Sequence, residues 1–127
     1  MCIRDSALID AYNVLCPKAE LIGYLHGYRG LLLGNSIEIP EKVKNNTEIL
    51  YNFGGSPIGN SRVKLTNIDS GIKAGYVKEG EVPLETAANQ LVKDGVDILH
   101  TIGGDDTNTM AAPVSYTHLT LPTICSV

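Results

Sequence analysis

Between Val82 and Thr109 the chain runs through a helix, a short strand and a glycine loop, the order that builds parallel sheets. Pro83 stands where a helix can begin, because the amide hydrogen that proline lacks would have no helical partner there. Leu84, Ala87, Ala88, Leu91 and Val92 follow at i, i+3, i+4, i+7 and i+8, one continuous apolar stripe. Gly95 is placed to close this helix. Val96 to Ile102 is short and mostly apolar, as expected of a strand covered on both faces. Gly103-Gly104-Asp105-Asp106-Thr107-Asn108 ends the strand, and another helix is expected from near Thr107 through Ala112. The succession predicts a parallel sheet with right-handed crossovers, whose ligand crevice lies beyond the carboxyl ends of the strands. Gly103 to Asn108 falls at that place.

The rest of the chain is less regular. Leu8, Ala11, Tyr12 and Leu15 are spaced as on a helix that Pro17 ends. Leu21 to Leu25 reads as a strand. Gly27, Gly30 and Gly34 break the chain around Leu31-Leu32-Leu33, and Pro40 to Asn46 has room for one short turn or helix. Ile49 to Arg62 holds a dense glycine loop, Gly54 to Gly59, that leads into Arg62. A guanidinium after a flexible backbone segment suits anion capture, although an ordinary surface turn has the same composition.

The two ends carry a different signature. Met1 to Asp5 back-translates as ATG TGT ATA AGA GAC, one strand of the transposon end used to tag DNA for sequencing. Val114 to Leu119 back-translates as GTC TCT TAT ACA CAT CT, its complement, and Thr120 to Val127 fits the adapter and barcode that follow. Residues 1–6 and 113–127 are therefore expected to be translated adapter, and residues 7–112 part of a longer gene's domain. Of three cysteines only Cys16 then remains, which excludes an intrachain disulfide framework and fits a reducing cytoplasm. The net charge of −4, with no basic run, argues against a nucleic-acid surface. No stretch approaches the ~18 apolar residues that a membrane helix needs.

Chemistry concentrates at Gly103 to Asn108. Gly103 and Gly104 let the backbone approach a bulky anion and adopt angles denied to other residues. The following helix would aim free N–H groups and its positive dipole end at that anion. Adjacent carboxylates would repel phosphate unless a magnesium ion bridged Asp105 to phosphate oxygens. On spacing alone, an aspartate that caps the helix and one that holds a metal are equally good readings.

Three segments in register resemble the phosphofructokinases, specifically their pyrophosphate-dependent branch: Gly27 to Leu32, Gly54 to Arg62, and Asp94 to Thr109. The resemblance extends over essentially all of residues 7–112. It implies an α/β fold, a three-layer Rossmann-like parallel sheet present as an incomplete part of the amino-terminal, phosphoryl-donor domain. It further implies that Asp105 binds Mg2+ and that Gly103, Gly104 and Arg62 bind pyrophosphate. Asp106 stands where ATP-using relatives typically have glycine, so its side chain would exclude a nucleotide's α-phosphate by bulk and like charge. The implied reaction moves a phosphoryl group from pyrophosphate to fructose 6-phosphate in glycolysis or gluconeogenesis, in a cytoplasmic, homo-oligomeric enzyme. The family's catalytic base lies in a Thr-Ile-Asp-Asn segment downstream of residue 112, so the segment by itself is expected to be inactive. An ATP-dependent member and a noncatalytic regulatory subunit are the alternatives; Asp106 argues against the first. Tyr28 matches a position near the adenine in ATP enzymes and is read here as packing. His100 is read as a hydrogen-bonded core residue, His26 as a loop residue, Cys16 as inert, and Lys64, Lys73, Lys78 and Lys93 as solvated surface.

Overall fold

The computed structural model describes residues 2–52, 55–116 and 123–126. Gly54, the first glycine of the dense loop, and residues 1, 117–122 and 127 of the expected adapter ends lie outside them. In chain order the elements are α1 (Cys2–Leu15), β1 (Ile22–Tyr24), α2 (Tyr28–Leu33), β2 (Ser36–Glu38), α3 (Glu41–Lys44), a 3-10 helix (Thr47–Asn52), α4 (Ile68–Lys73), α5 (Pro83–Lys93), β3 (Ile98–Thr101), α6 (Asp105–Tyr116) and β4 (Thr123–Ser126).

Helix α5 forms as its sequence requires. Pro83 occupies the first turn, and Ala87, Ala88 and Leu91 are fully buried. Burying a leucine side chain contributes about 1.5–3 kcal/mol. Val92 departs from the expected stripe at 47% exposure. At about 100° per residue it lies roughly 80° around the helix from Leu84, at the edge of the apolar face. Gly95 closes the helix at φ +67°, its N–H bonded to the Val92 carbonyl while that of Val96 reaches Leu91. This pair of bonds satisfies carbonyls that the helix end would otherwise orphan.

The glycines around Leu31-Leu32-Leu33 prove to be helix punctuation, not breaks. Gly27 caps the start of α2, and Gly34 at φ +70° caps its end, with Asn35 N–H bonded to the Gly30 carbonyl. Six residues are too few to show a helical period, which is why the sequence pattern misses it. Leu31 and Leu32 point into the core with Tyr24, Leu65, Val77, Ala87, Leu91, Leu99 and Val114. A Cβ on Gly30 would overlap the Leu25 carbonyl, so α2 reaches its seat only because that position is bare. Gly30→Ala is expected to cost roughly 2–3 kcal/mol, read as a lowered midpoint in urea denaturation of the full-length protein.

The sheet differs from expectation. Instead of one three-layer parallel sheet, the described strands form two pairs. Strand β1 pairs antiparallel with β2, in the register Ile22↔Glu38, Gly23↔Ile37 and Tyr24↔Ser36. Strand β3 pairs parallel with β4, from Ile98↔Thr123 to Thr101↔Ser126. The α2 turn returns the chain alongside β1 directly, which the isolated pattern of Ser36 to Glu38 does not announce. Ile98 is 45% exposed, so β3 is not covered on both faces. Helix α6 packs against both strands of this ribbon, and Tyr12 of α1 reaches His100 of β3. The architecture that stands is mixed helix and strand. Helices α1 and α6 run through Ala7 and Ala112 without interruption, and no described helix is long and apolar enough to cross a membrane.

Side-chain bonds tie distant parts of the chain together. The Tyr24 hydroxyl donates to Asp94 Oδ2 at 2.6 Å, joining β1 to the end of α5; burial, then the Asp94 carboxylate, push its pKa up. Tyr12 Oη lies 2.7 Å from His100 Nε2, with the rings edge to face. His100 is thus the hydrogen-bonded, half-buried residue expected, although its Nδ1 is buried without a partner among the described residues. Burial lowers its pKa below the ordinary 6.5. As pH falls below that value the unfolded chain takes up a proton first. The contribution of neutral His100 is therefore complete above 6.5 and lost as pH drops through the folded-state pKa. Denaturation midpoints should fall across that acidic window, and His100→Gln should flatten the fall.

Candidate functional site

Strand β3 delivers the chain to the glycine loop, and the loop opens directly into α6. Helix α6 begins at Asp105, two residues before the expected start, and the Asn108 N–H bonds to the Gly104 carbonyl. Gly104 therefore occupies the capping position, and neither aspartate caps the helix with its side chain. Asp105 and Asp106 stand in the first turn, both exposed. Carboxylates are favoured at that end of the dipole whether or not a ligand is present. The first N–H groups of α6 lack intrahelical acceptors, as at any helix start. Thr101 Oγ1 donates to Asn108 Oδ1 at 3.1 Å, tying the strand end to the helix.

The two glycines differ from expectation in their backbone angles. Neither lies at positive φ, so unusual backbone angles do not explain them. At Gly103 the reason is contact: an added Cβ would come within 2.6 Å of Thr107 Oγ1 and 2.8 Å of its Cβ. At Gly104 an added Cβ would meet nothing within 4 Å. Its face is open, which leaves room for a bulky anion beside the helix start.

Contacts connect the neighbourhoods of the three segments singled out in the sequence, one to the next. The Tyr28 hydroxyl, at the start of α2, donates to the Thr107 carbonyl at 2.6 Å. Lys64 Nζ lies 3.9 Å from Asp106 Oδ2, in an exposed ion pair of the kind that contributes about 0–1 kcal/mol. His26 N–H bonds to the Ile58 carbonyl at 2.8 Å, and a Cβ on Gly27 would lie 3.9 Å from Ser61 Oγ. His26, expected in a loop, takes φ 60° at this turn. Arg62 is exposed, and with Lys64, Asn67, Ser70 and Tyr76 it lines a concavity of about 390 Å³. Lys64 and Asp106 thus join the segment of Arg62 to the loop of Gly103, Gly104 and Asp105.

Two residues of this cluster make contacts beyond those the sequence reading gave them. Lys64 is the surface residue expected, its side chain 59% exposed, and it also pairs with Asp106. It stands two residues beyond Arg62, and alternate residues of an extended chain share a side. Tyr28 packs as expected, but its hydroxyl also reaches across 79 residues to the loop. Cys16 is free and exposed. Among the described residues no group of three or more His, Cys, Asp or Glu could hold a metal by itself.

No family model matches the chain. Curated relatives do, and at high identity. The chain is 58% identical over 109 residues to the pyrophosphate–fructose 6-phosphate 1-phosphotransferase of Methylotuvimicrobium alcaliphilum, and equally to that of Methylomonas methanica. It is 55% identical over 108 residues to the enzyme so named from Propionibacterium freudenreichii. These alignments take in 85–86% of this chain but only 27% of each relative, so the chain spans about a quarter of their length. Identity above one half makes this stretch similar, along the whole aligned length, to enzymes named pyrophosphate–fructose 6-phosphate 1-phosphotransferase.

Proposed function

We propose that the full-length protein carrying this segment transfers a phosphoryl group from pyrophosphate to fructose 6-phosphate, the reaction for which its relatives are named. The observation that carries the reading is the meeting of the Tyr28, Arg62–Lys64 and Gly103–Asp106 segments at the start of α6. There the open face of Gly104, the first N–H groups of the helix and the Lys64 ammonium complement a phosphate chain. Asp105 would hold Mg2+. Its single exposed carboxylate suits a cation that keeps waters and takes further oxygens from substrate phosphates, not a closed protein cage. Bound there, the ion supplies charge neutralisation between the donor and the loop carboxylates. Gly103, Gly104 and Arg62 would bind pyrophosphate, and Asp106 would disfavour ATP by bulk and charge. Phosphoryl transfer asks a protein chiefly for positioning and electrostatic stabilisation, and this loop can supply both.

The site requires more than this segment. The acceptor half and the catalytic base are assigned to the remaining length of the protein, and the segment alone is expected to be inactive. Apolar side chains such as Val14, Leu15, Ile37 and Ile98 are exposed here, and a longer chain would have reason to cover them. Residues 1–6 and 113–127 are read as translated adapter. A cytoplasmic homo-oligomer is the expected state. The test is to recover the gene outward from Ala7 and Ala112, and to assay the purified product with pyrophosphate and with ATP. Turnover with pyrophosphate supports the reading. A protein with neither activity would be a regulatory subunit, and preference for ATP would refute the role of Asp106.

A further inference from the structure

We propose that Tyr28 is a positioning residue of the donor loop: by bonding the Thr107 carbonyl it holds Thr107 against Gly103, and so sets where Asp105 and Asp106 stand. The assignment rests on the donor role proposed above for that loop. Three observations carry it. Helix α2 is a firm base, bracketed by Gly27 and Gly34, with Leu31 2% and Leu32 7% exposed and Gly30 pressed against Leu25. From its first residue the Tyr28 hydroxyl reaches the Thr107 carbonyl at 2.6 Å. Thr107 is also the residue whose Oγ1 and Cβ leave no room for a side chain at position 103. One path of contacts thus runs from α2 through Thr107 to the loop.

The bond lasts across the working pH range. Burial pushes the Tyr28 pKa up to about 12, so its hydroxyl remains a donor wherever enzymes operate. The carbonyl lies in the first turn of α6, where a small tilt would swing the two preceding carboxylates together. Tyr28 itself need not touch the substrate. It acts through Thr107.

The test uses the full-length protein with inorganic pyrophosphate and Mg2+. Tyr28→Phe keeps the ring and removes only the donor. The KM for pyrophosphate should rise about two- to ten-fold, the range of one neutral hydrogen bond, while kcat and the KM for fructose 6-phosphate stay within two-fold. Amide exchange at Asn108, whose N–H bonds the Gly104 carbonyl, should quicken by a similar factor with α5 unchanged. Thr107→Ala should be non-additive with Tyr28→Phe on that KM, because both substitutions cut the same path. An unchanged pyrophosphate KM would overturn the assignment, as would additive effects. So would a uniform loss of all kinetic parameters that tracks a lower melting temperature. If the unsubstituted protein does not use pyrophosphate, the donor reading fails separately, and the exchange rates alone decide the Tyr28 link.

Discussion

Replacing Asp105 by asparagine in the full-length protein is expected to lower kcat/KM with pyrophosphate about a hundred- to a thousand-fold, the usual loss when one preorganised electrostatic stabiliser is removed. Asparagine has almost the same shape as aspartate, so α6 should still begin at residue 105. What changes is the charge. A neutral amide oxygen is a poor ligand for a hard cation that is held by only one or two carboxylates, so the Mg2+ concentration for half activity should rise as well. The loss at the helix dipole, about 0.3–1 kcal/mol, is too small to account for such a drop by unfolding. Steady-state rates across a Mg2+ titration, beside a thermal melt, make the distinction. Activity within a few-fold of the unsubstituted protein would remove Asp105 from the metal site and leave it as a favourable charge at a helix start.

Asp106→Gly is the second large effect, and its direction is opposite for the two donors. The Asp106 side chain is 87% exposed beside the loop, with Lys64 as its partner at 3.9 Å. A like charge about 4 Å from a donor phosphate costs about 1 kcal/mol if water screens it fully, and about 4 kcal/mol near a protein surface at lower effective dielectric. Removing it should raise kcat/KM for ATP by roughly five- to several-hundred-fold. Pyrophosphate should lose modestly, since Lys64 would no longer be held at the loop. Asp106→Asn separates the two components, because it keeps the volume and removes the charge. If Asn restores ATP use as well as Gly does, repulsion dominates; if only Gly does, bulk dominates. Unchanged donor preference in both variants would end the discriminating role of this residue.

How legible these features were depends on the range of the forces that make them. Helix α5 could be read almost completely, because proline at its start, an apolar stripe and glycine after its end are all local. Even its error is local, since Val92 lies at the margin of the stripe. Helix α2 was missed because six residues between glycines carry no period, and its caps look like breaks until the bonds from Gly34 and Asn35 are seen. The same limit applies at the site. Asp105, Asp106 and the glycine pair stand out as a motif. Lys64 does not, since a lysine on the surface looks the same with or without an aspartate opposite it. Gly103 was expected for its backbone freedom, yet Thr107 four residues later is what requires it.

The order of residues alone therefore determined the family resemblance, the helix–strand–loop–helix succession from Pro83 onward, and which carboxylates chemistry would single out. Each follows from neighbours within a few turns of chain, where covalent connection fixes the geometry. Strand pairing, the two separate ribbons and the Tyr28–Thr107 and Lys64–Asp106 contacts were decided only by the tertiary structure. Those depend on distant segments competing for the same edges and surfaces, and a one-dimensional pattern does not record which competitor wins.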